Sequence, residues 1–131
     1  MTLDGGTRRT VAVALEDGME ISISRSKEVV IVGVEGRLDS TTSSRLEGEL
    51  LALIAKAEHQ LILDCSRLVY ISSAGLRAVL LAAKRLKNAG GMLVLCSLSA
   101  AVRKVFDLAG FASIIPVRSS VTEALLEIPG R

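Results

Sequence analysis

The stretch "LILDCSRLVYISSAGLRAVLLAAKRLKNAGGMLVLC", residues 61–96, decides the fold. It opens on "LILDC", an apolar run with little alternation, of the kind found where a parallel strand is covered on both faces. A segment carrying Leu68, Tyr70 and Ile71 reads as a loop. From Ser73 onward, Leu76, Val79, Leu80, Ala83 and Leu86 recur at helical spacing, and "NAGG" supplies glycines suited to a left-handed cap. Arg77, Lys84, Arg85 and Lys87 fall on or beside the wet side of that helix. "MLVLC" is then a second buried strand. Strand, helix and strand in about 35 residues make a βαβ unit, which demands a parallel pair joined by a right-handed crossover.

The flanking sequence continues this rhythm in both directions. Upstream, "MEISISRS" alternates with period two and "EVVIVGVEG" is nearly continuous and β-branched, so two strands joined by a turn are expected. In "DSTTSSRLEGELLALIAKAEHQ" Asp39 or Ser40 is placed to cap a helix whose apolar positions are Leu46, Leu50, Leu53, Ile54 and Ala57. Downstream, Ser99 caps a helix with Val102, Val105 and Phe106 inward, closed by Gly110. "SIIPV" reads as a short edge strand because Pro116 cannot donate a ladder hydrogen bond. A closing helix follows Ser119 or Ser120. The expectation is an α/β fold with a mostly parallel sheet, one antiparallel strand at its start and about four helices over residues 19–128. Residues 1–18 stand apart as an N-terminal leader. "VAVAL" within them reads as a flexible arm, slightly favoured, or as an added strand at a sheet edge.

Composition narrows the function. The chain has 131 residues, half of them apolar and 2% aromatic, enough for one domain with an aliphatic core. Sixteen Lys and Arg against 14 Asp and Glu leave a net charge of +2, too small and too dispersed for a nucleic-acid stripe. Apolar runs such as "AVLLAA" fall far short of the ~18 residues a membrane span needs. "MTLDGGTRR" lacks the apolar core of a secretory signal, which points to the cytoplasm. Cys65 and Cys96, without CxxC or Cys/His spacing, read as buried reduced thiols. With one histidine in the chain, neither a metal site nor a cofactor site is expected.

Ser72 and Ser73 sit at the strand-to-helix junction. The first N–H groups of a helix lack internal partners and carry partial positive charge, so a serine there serves as a cap. The same geometry favours a phosphate, worth about 0.3–1 kcal/mol for the dipole at an exposed site. Local chemistry alone favours the cap. A nucleophile elbow does not fit, because residue 71 is Ile where Gly is required and His59, the only histidine, lies upstream of the serines. No GxGxxG or GxxxxGK[ST] is present, so the chain is not expected to be an enzyme. His59 in "AEHQ" reads as a surface residue at a helix end.

Three separated motifs in order, "GRLD" within residues 34–47, "D.S...YISSAGL" and "V...FDLAGF", resemble the STAS domain of bacterial anti-sigma factor antagonists, over about residues 19–128. In that family the serine two positions before Gly-Leu is phosphorylated by a partner that is both anti-sigma factor and serine kinase, and a PP2C-type phosphatase reverses it. The resemblance implies phosphorylation at Ser73, with Ser72 as the alternative, and a partner-binding surface of Asp39, Ser72, Ser73, Ala74 and Arg77. It further implies partner switching that regulates sigma-factor-dependent transcription. Many members have Asp before the phosphorylated serine, whereas this chain has Ser72. Arg77, where several relatives have a small residue, adds a cation at i+4 from Ser73. An alternative within the same resemblance is a phosphorylation-independent STAS module of a larger signalling or lipid-transport complex.

Overall fold

A computed structural model describes residues 11–16 and 18–128. The strands are β1 (Val11–Glu16), β2 (Met19–Ser26), β3 (Val29–Leu38), β4 (Gln60–Ile71), β5 (Met92–Cys96) and β6 (Val117–Arg118). The helices are α1 (Ser43–Ala55), α2 (Ser73–Asn88), α3 (Ala100–Leu108) and α4 (Val121–Glu127). The strands form one sheet in sequential order β1-β2-β3-β4-β5-β6. β2 runs antiparallel to both β1 and β3, while β3 to β6 are parallel. The α/β class, the parallel sheet with its antiparallel start and the four helices agree with the sequence reading.

Each parallel step is crossed by one helix, and all three crossover helices share one face of the sheet. Leu46 and Leu50 of α1, Leu76, Val79, Ala82 and Leu86 of α2, and Val102 and Phe106 of α3 join the alternate residues of β2 to β5 in the main core. Strands added always on the same side with crossovers of one hand place every helix on that face. Among the described residues the opposite face is covered only by α4 and the residue that follows it, where Ala124 and Ile128 pack on Val29, Ile31, Ile62, Val94 and Cys96. Beyond Asp64 this cover ends, and Ser66, Arg67 and Val69 of β4 are exposed.

The structure corrects several readings. Val11–Glu16 pair with β2 as an added edge strand, so the favoured flexible arm does not hold there; residues 1–10 lie outside the described residues. β4 continues to Ile71 where a loop was expected, because its register shifts twice against β3 and keeps Leu68 and Ile71 in the core. The last strand is Val117–Arg118; Pro116 precedes it and only accepts, from Leu95 N–H at 2.9 Å. Ile114 and Ile115 follow a short 3-10 turn at Phe111–Ser113. α1 starts later than Asp39 or Ser40 would have it, with Thr42 as its N-cap. Ala57 is past its end, at φ 67°. His59 is half-buried in the turn before β4, its carbonyl accepting from Met92 N–H at 2.9 Å.

Other signals hold. Lys27 turns β2 into β3 at φ 55°, and Gly90, at φ 83°, follows α2 as the glycine cap requires. Ser99 and Ser120 cap α3 and α4, accepting from Val102 N–H at 3.2 Å and Glu123 N–H at 3.1 Å. Both cysteines are buried, and neither is in a disulfide. Cys65 faces the main core and Cys96 the α4 side, so the sheet itself lies between the two thiols.

Candidate functional site

The register of β3 on β4 builds the site. Leu38 lies beside Ile71, so the next residues, Asp39 and Ser72, leave the same edge of the sheet together. Ser72 N–H donates to the Leu38 carbonyl at 2.9 Å and stitches the two exits. The carboxyl ends of adjacent parallel strands are where open α/β sheets present their ligands.

The two serines divide the labour. Ser72 is extended, at φ −97° and ψ 175°, and its hydroxyl accepts from Gly75 N–H at 3.2 Å, while its carbonyl accepts from Leu76 N–H at 2.9 Å. It is the N-cap, committed to the first turn of α2. Ser73 is the first helical residue and is exposed; among the described residues nothing takes up its hydroxyl. Ala74 is half-buried beside it and Arg77 is exposed one turn on. Gly75 explains the small residue at this spot. A Cβ there would lie 2.8 Å from Leu38 Cγ, 3.0 Å from Ile71 Cγ1 and 3.0 Å from the Leu38 carbonyl oxygen, so only glycine lets α2 start this close to β3.

Asp39 forms a compact turn rather than a helix cap. Its Oδ1 accepts from Thr41 N–H at 2.9 Å, from the Thr41 hydroxyl at 2.7 Å and from Thr42 N–H at 3.3 Å. These bonds, that of the Thr41 hydroxyl first, hold the Asp39 carboxyl below the ordinary aspartate range. Arg37 Nε sits 3.7 Å from Asp39 Oδ2. Thr42, fully buried, donates to the Arg37 carbonyl at 2.9 Å and accepts from Asp39 N–H at 2.9 Å. This threonine locks the turn, and sequence reasoning missed it, although Asp39 is by type an Asx-turn residue that bonds backbone two residues on, next to Thr42.

Sequence reasoning also missed Arg37 and Tyr70. The register sets them side by side, and the Arg37 guanidinium lies 4.2 Å from the centre of the Tyr70 ring. Tyr70 is 41% exposed and its neighbour Val69 66%, high for apolar side chains at a strand end. One sheet edge thus collects Arg37, Asp39, Tyr70, Ser73 and Arg77. Of the residues expected to act together, Asp39, Ser72, Ser73 and Ala74 meet there, with Arg77 a turn along α2.

Among the described residues the edge brings together hydroxyls, a carboxylate and cations, whereas His59 lies at the opposite end of β4. Among the described residues no group of three or more His, Cys, Asp or Glu is placed to hold a metal ion. None of the described helices is long and apolar enough to cross a membrane. Burial raises the Cys65 thiol well above its ordinary range, with charge repulsion from Cys96 and Asp64 adding to it.

The profile of the STAS domain matches residues 20–124. The chain is 45% identical over 102 residues to a Bordetella bronchiseptica protein provisionally named anti-sigma factor antagonist BtrV, covering 78% of this chain and 88% of that one. The crystal structure of an anti-sigma factor antagonist from Mycobacterium paratuberculosis superposes with a TM-score of 0.80 at 22% identity, over 88% of this chain and 98% of the other. The Bacillus cell fate determinant SpoIIAA in its phosphorylated form superposes with a TM-score of 0.65 at 22% identity, over 82% and 97% of the two chains.

Proposed function

From the premise that this chain belongs to the STAS domain family, we propose that it is an anti-sigma factor antagonist switched by phosphorylation at Ser73. The unmodified form captures a serine-kinase anti-sigma factor in the cytoplasm and so frees the sigma factor. The kinase then passes the γ-phosphoryl group of ATP to Ser73: the Oγ–P bond forms, the bond to ADP breaks and the hydroxyl proton leaves. A PP2C-type phosphatase restores the serine by hydrolysis, releasing inorganic phosphate. The chain contributes a surface and an acceptor rather than a catalytic group.

The observation that carries this reading is the division between the serines. Ser72 is held as the cap of α2, whereas Ser73 is exposed with its hydroxyl clear of other described groups. A phosphate there adds about −1.5 to −2 charges at a point where the helix dipole favours them, so the fold tolerates what a docked partner does not. Asp39 on the neighbouring turn and Arg37 at the end of β3 belong to the same proposed contact surface, with Tyr70 and Val69 supplying its apolar part.

The test is incubation of the full chain with ATP and each serine-kinase anti-sigma factor of the host. Mass spectrometry then reads the peptide containing Ser72 and Ser73, and calorimetry reads the complex. The expected result is phosphate on Ser73, weakened binding for Ser73→Asp and constitutive binding for Ser73→Ala, all with near-wild-type thermal stability. An unmodified peptide with undiminished binding overturns the switch and favours a fixed-partner STAS module.

A further inference from the structure

α2 is one-sided in charge as well as in hydrophobicity. Its sequence, SAGLRAVLLAAKRLKN, carries four cations and no Asp or Glu. Positions 77 and 84 are seven residues apart and therefore nearly in line, with Leu80 and Leu81 one turn from each. Between α2 and α1 this line borders an open groove of about 470 Å³, whose walls include Ala74, Arg77, Leu80, Leu81 and Lys84 from α2. Ser43 and Glu47 line it from α1. Among the described residues Glu47 is its only acidic wall residue, and neither Arg77 nor Lys84 is paired with a carboxylate. Ser73 sits at the head of the same line, one turn from Arg77.

Resting on the reading above, we infer that this groove docks an acidic amphipathic helical segment of the anti-sigma factor, and that Arg77 transmits the effect of a phosphate on Ser73. An apolar floor between two rows of helical side chains fits a partner helix read at one side chain per turn. The unpaired cations at both ends of the floor choose an acidic one. Distance then separates the roles of the two cations. Arg77 lies about 6 Å along the helix from Ser73, and Lys84 about 16 Å. The screening length at physiological salt is about 8 Å. A phosphate on Ser73 therefore acts on Arg77, pairing its guanidinium and cancelling its attraction for the partner, while Lys84 remains an anchor in both states.

The experiment uses the full chain, with Ser73 either unmodified or encoded as phosphoserine, against the host serine-kinase anti-sigma factor that binds the wild type. Dissociation constants are measured at 50 and 200 mM salt for Arg77→Ala, Lys84→Glu and, as a remote control, Lys104→Glu on exposed α3. Lys84→Glu is expected to weaken both phosphorylation states about tenfold with a shallower salt dependence, leaving the ratio between them unchanged. Arg77→Ala is expected to weaken the unmodified form and to reduce that ratio at least about threefold. All melt with the wild type, since the substituted side chains are exposed. Equal affinity for Lys84→Glu and wild type, or an equal loss for Lys104→Glu, overturns the groove. An unchanged ratio in Arg77→Ala overturns its transmitting role. A wild type that binds no such kinase defeats the parent reading, and this one with it.

Discussion

Gly48→Ala and Gly75→Ala form a pair that separates helix propensity from packing. Both glycines lie inside helices, and alanine is favoured over glycine there by about 0.8–1 kcal/mol. Around Gly48 a new Cβ meets nothing within 4 Å, so that gain is expected nearly in full. At Gly75 the new methyl would lie 2.8–3.0 Å from Leu38 Cγ, Ile71 Cγ1 and the Leu38 carbonyl oxygen. Carbon contacts are comfortable at ~3.5–4.0 Å, so the two to Leu38 Cγ and Ile71 Cγ1 are short by roughly half an ångström or more. The carbonyl cannot yield easily, because it also accepts from Ser72 N–H at 2.9 Å. The head of α2 must lift instead, at an overpacking cost of ~1–3 kcal/mol that exceeds the propensity gain. The net expectation is a loss of about 1 kcal/mol for Gly75→Ala and a gain of about 1 kcal/mol for Gly48→Ala. Urea unfolding followed by circular dichroism resolves that gap, and melting temperatures should part by about 8 °C. A Gly75→Ala chain as stable as Gly48→Ala would refute the close approach of α2 to β3.

Ser72→Ala should cost about 1 kcal/mol through the lost cap, and Ser73→Ala less than about 0.5 kcal/mol, both read from thermal melts. The Asp39 carboxyl has a folded pKa below its unfolded value, so its contribution is present above about pH 4 and is lost as pH falls through the folded value. The urea midpoints of Asp39→Asn and wild type should therefore differ at pH 6 and converge towards pH 3; a gap that widens on acidification would contradict the turn described. Cys65, buried and with its thiol pKa raised, should resist alkylation at pH 8 in the native chain and react once urea unfolds it. Gly36→Ala should abolish soluble folded protein or cost more than about 3 kcal/mol, as read by expression and melting, since Gly36 has φ 107° and its Cβ would lie 2.0 Å from the Gly18 carbonyl oxygen.

Periodicity made most of the fold legible. The continuous apolar runs of β3, β4 and β5 and the helical spacing in α2 and α3 are local patterns, and each agrees with the layer in which its residues are buried. Boundaries were less legible where tertiary contacts overrule local signals. Asp39 and Ser40 are good caps by type, but the buried Thr42 ties its hydroxyl to the Arg37 carbonyl and delays α1 by a turn. Leu80 fits the helical period, yet it is half-buried while the smaller Ala78 and Ala82 are buried. α1 packs against α2, and a close helix contact favours small side chains.

By itself, the order of residues determined that a parallel βαβ core exists, that α2 begins at the serines, and that its outer side is basic, because these are properties of neighbours along one chain. It also offered Ser72 as the cap and Ser73 as a first-turn residue, but it could not show that these serines leave the sheet beside Asp39, nor that Arg37 lies over Tyr70. Those outcomes follow from the pairing of Leu38 with Ile71, two residues 33 positions apart that only the folded sheet brings side by side.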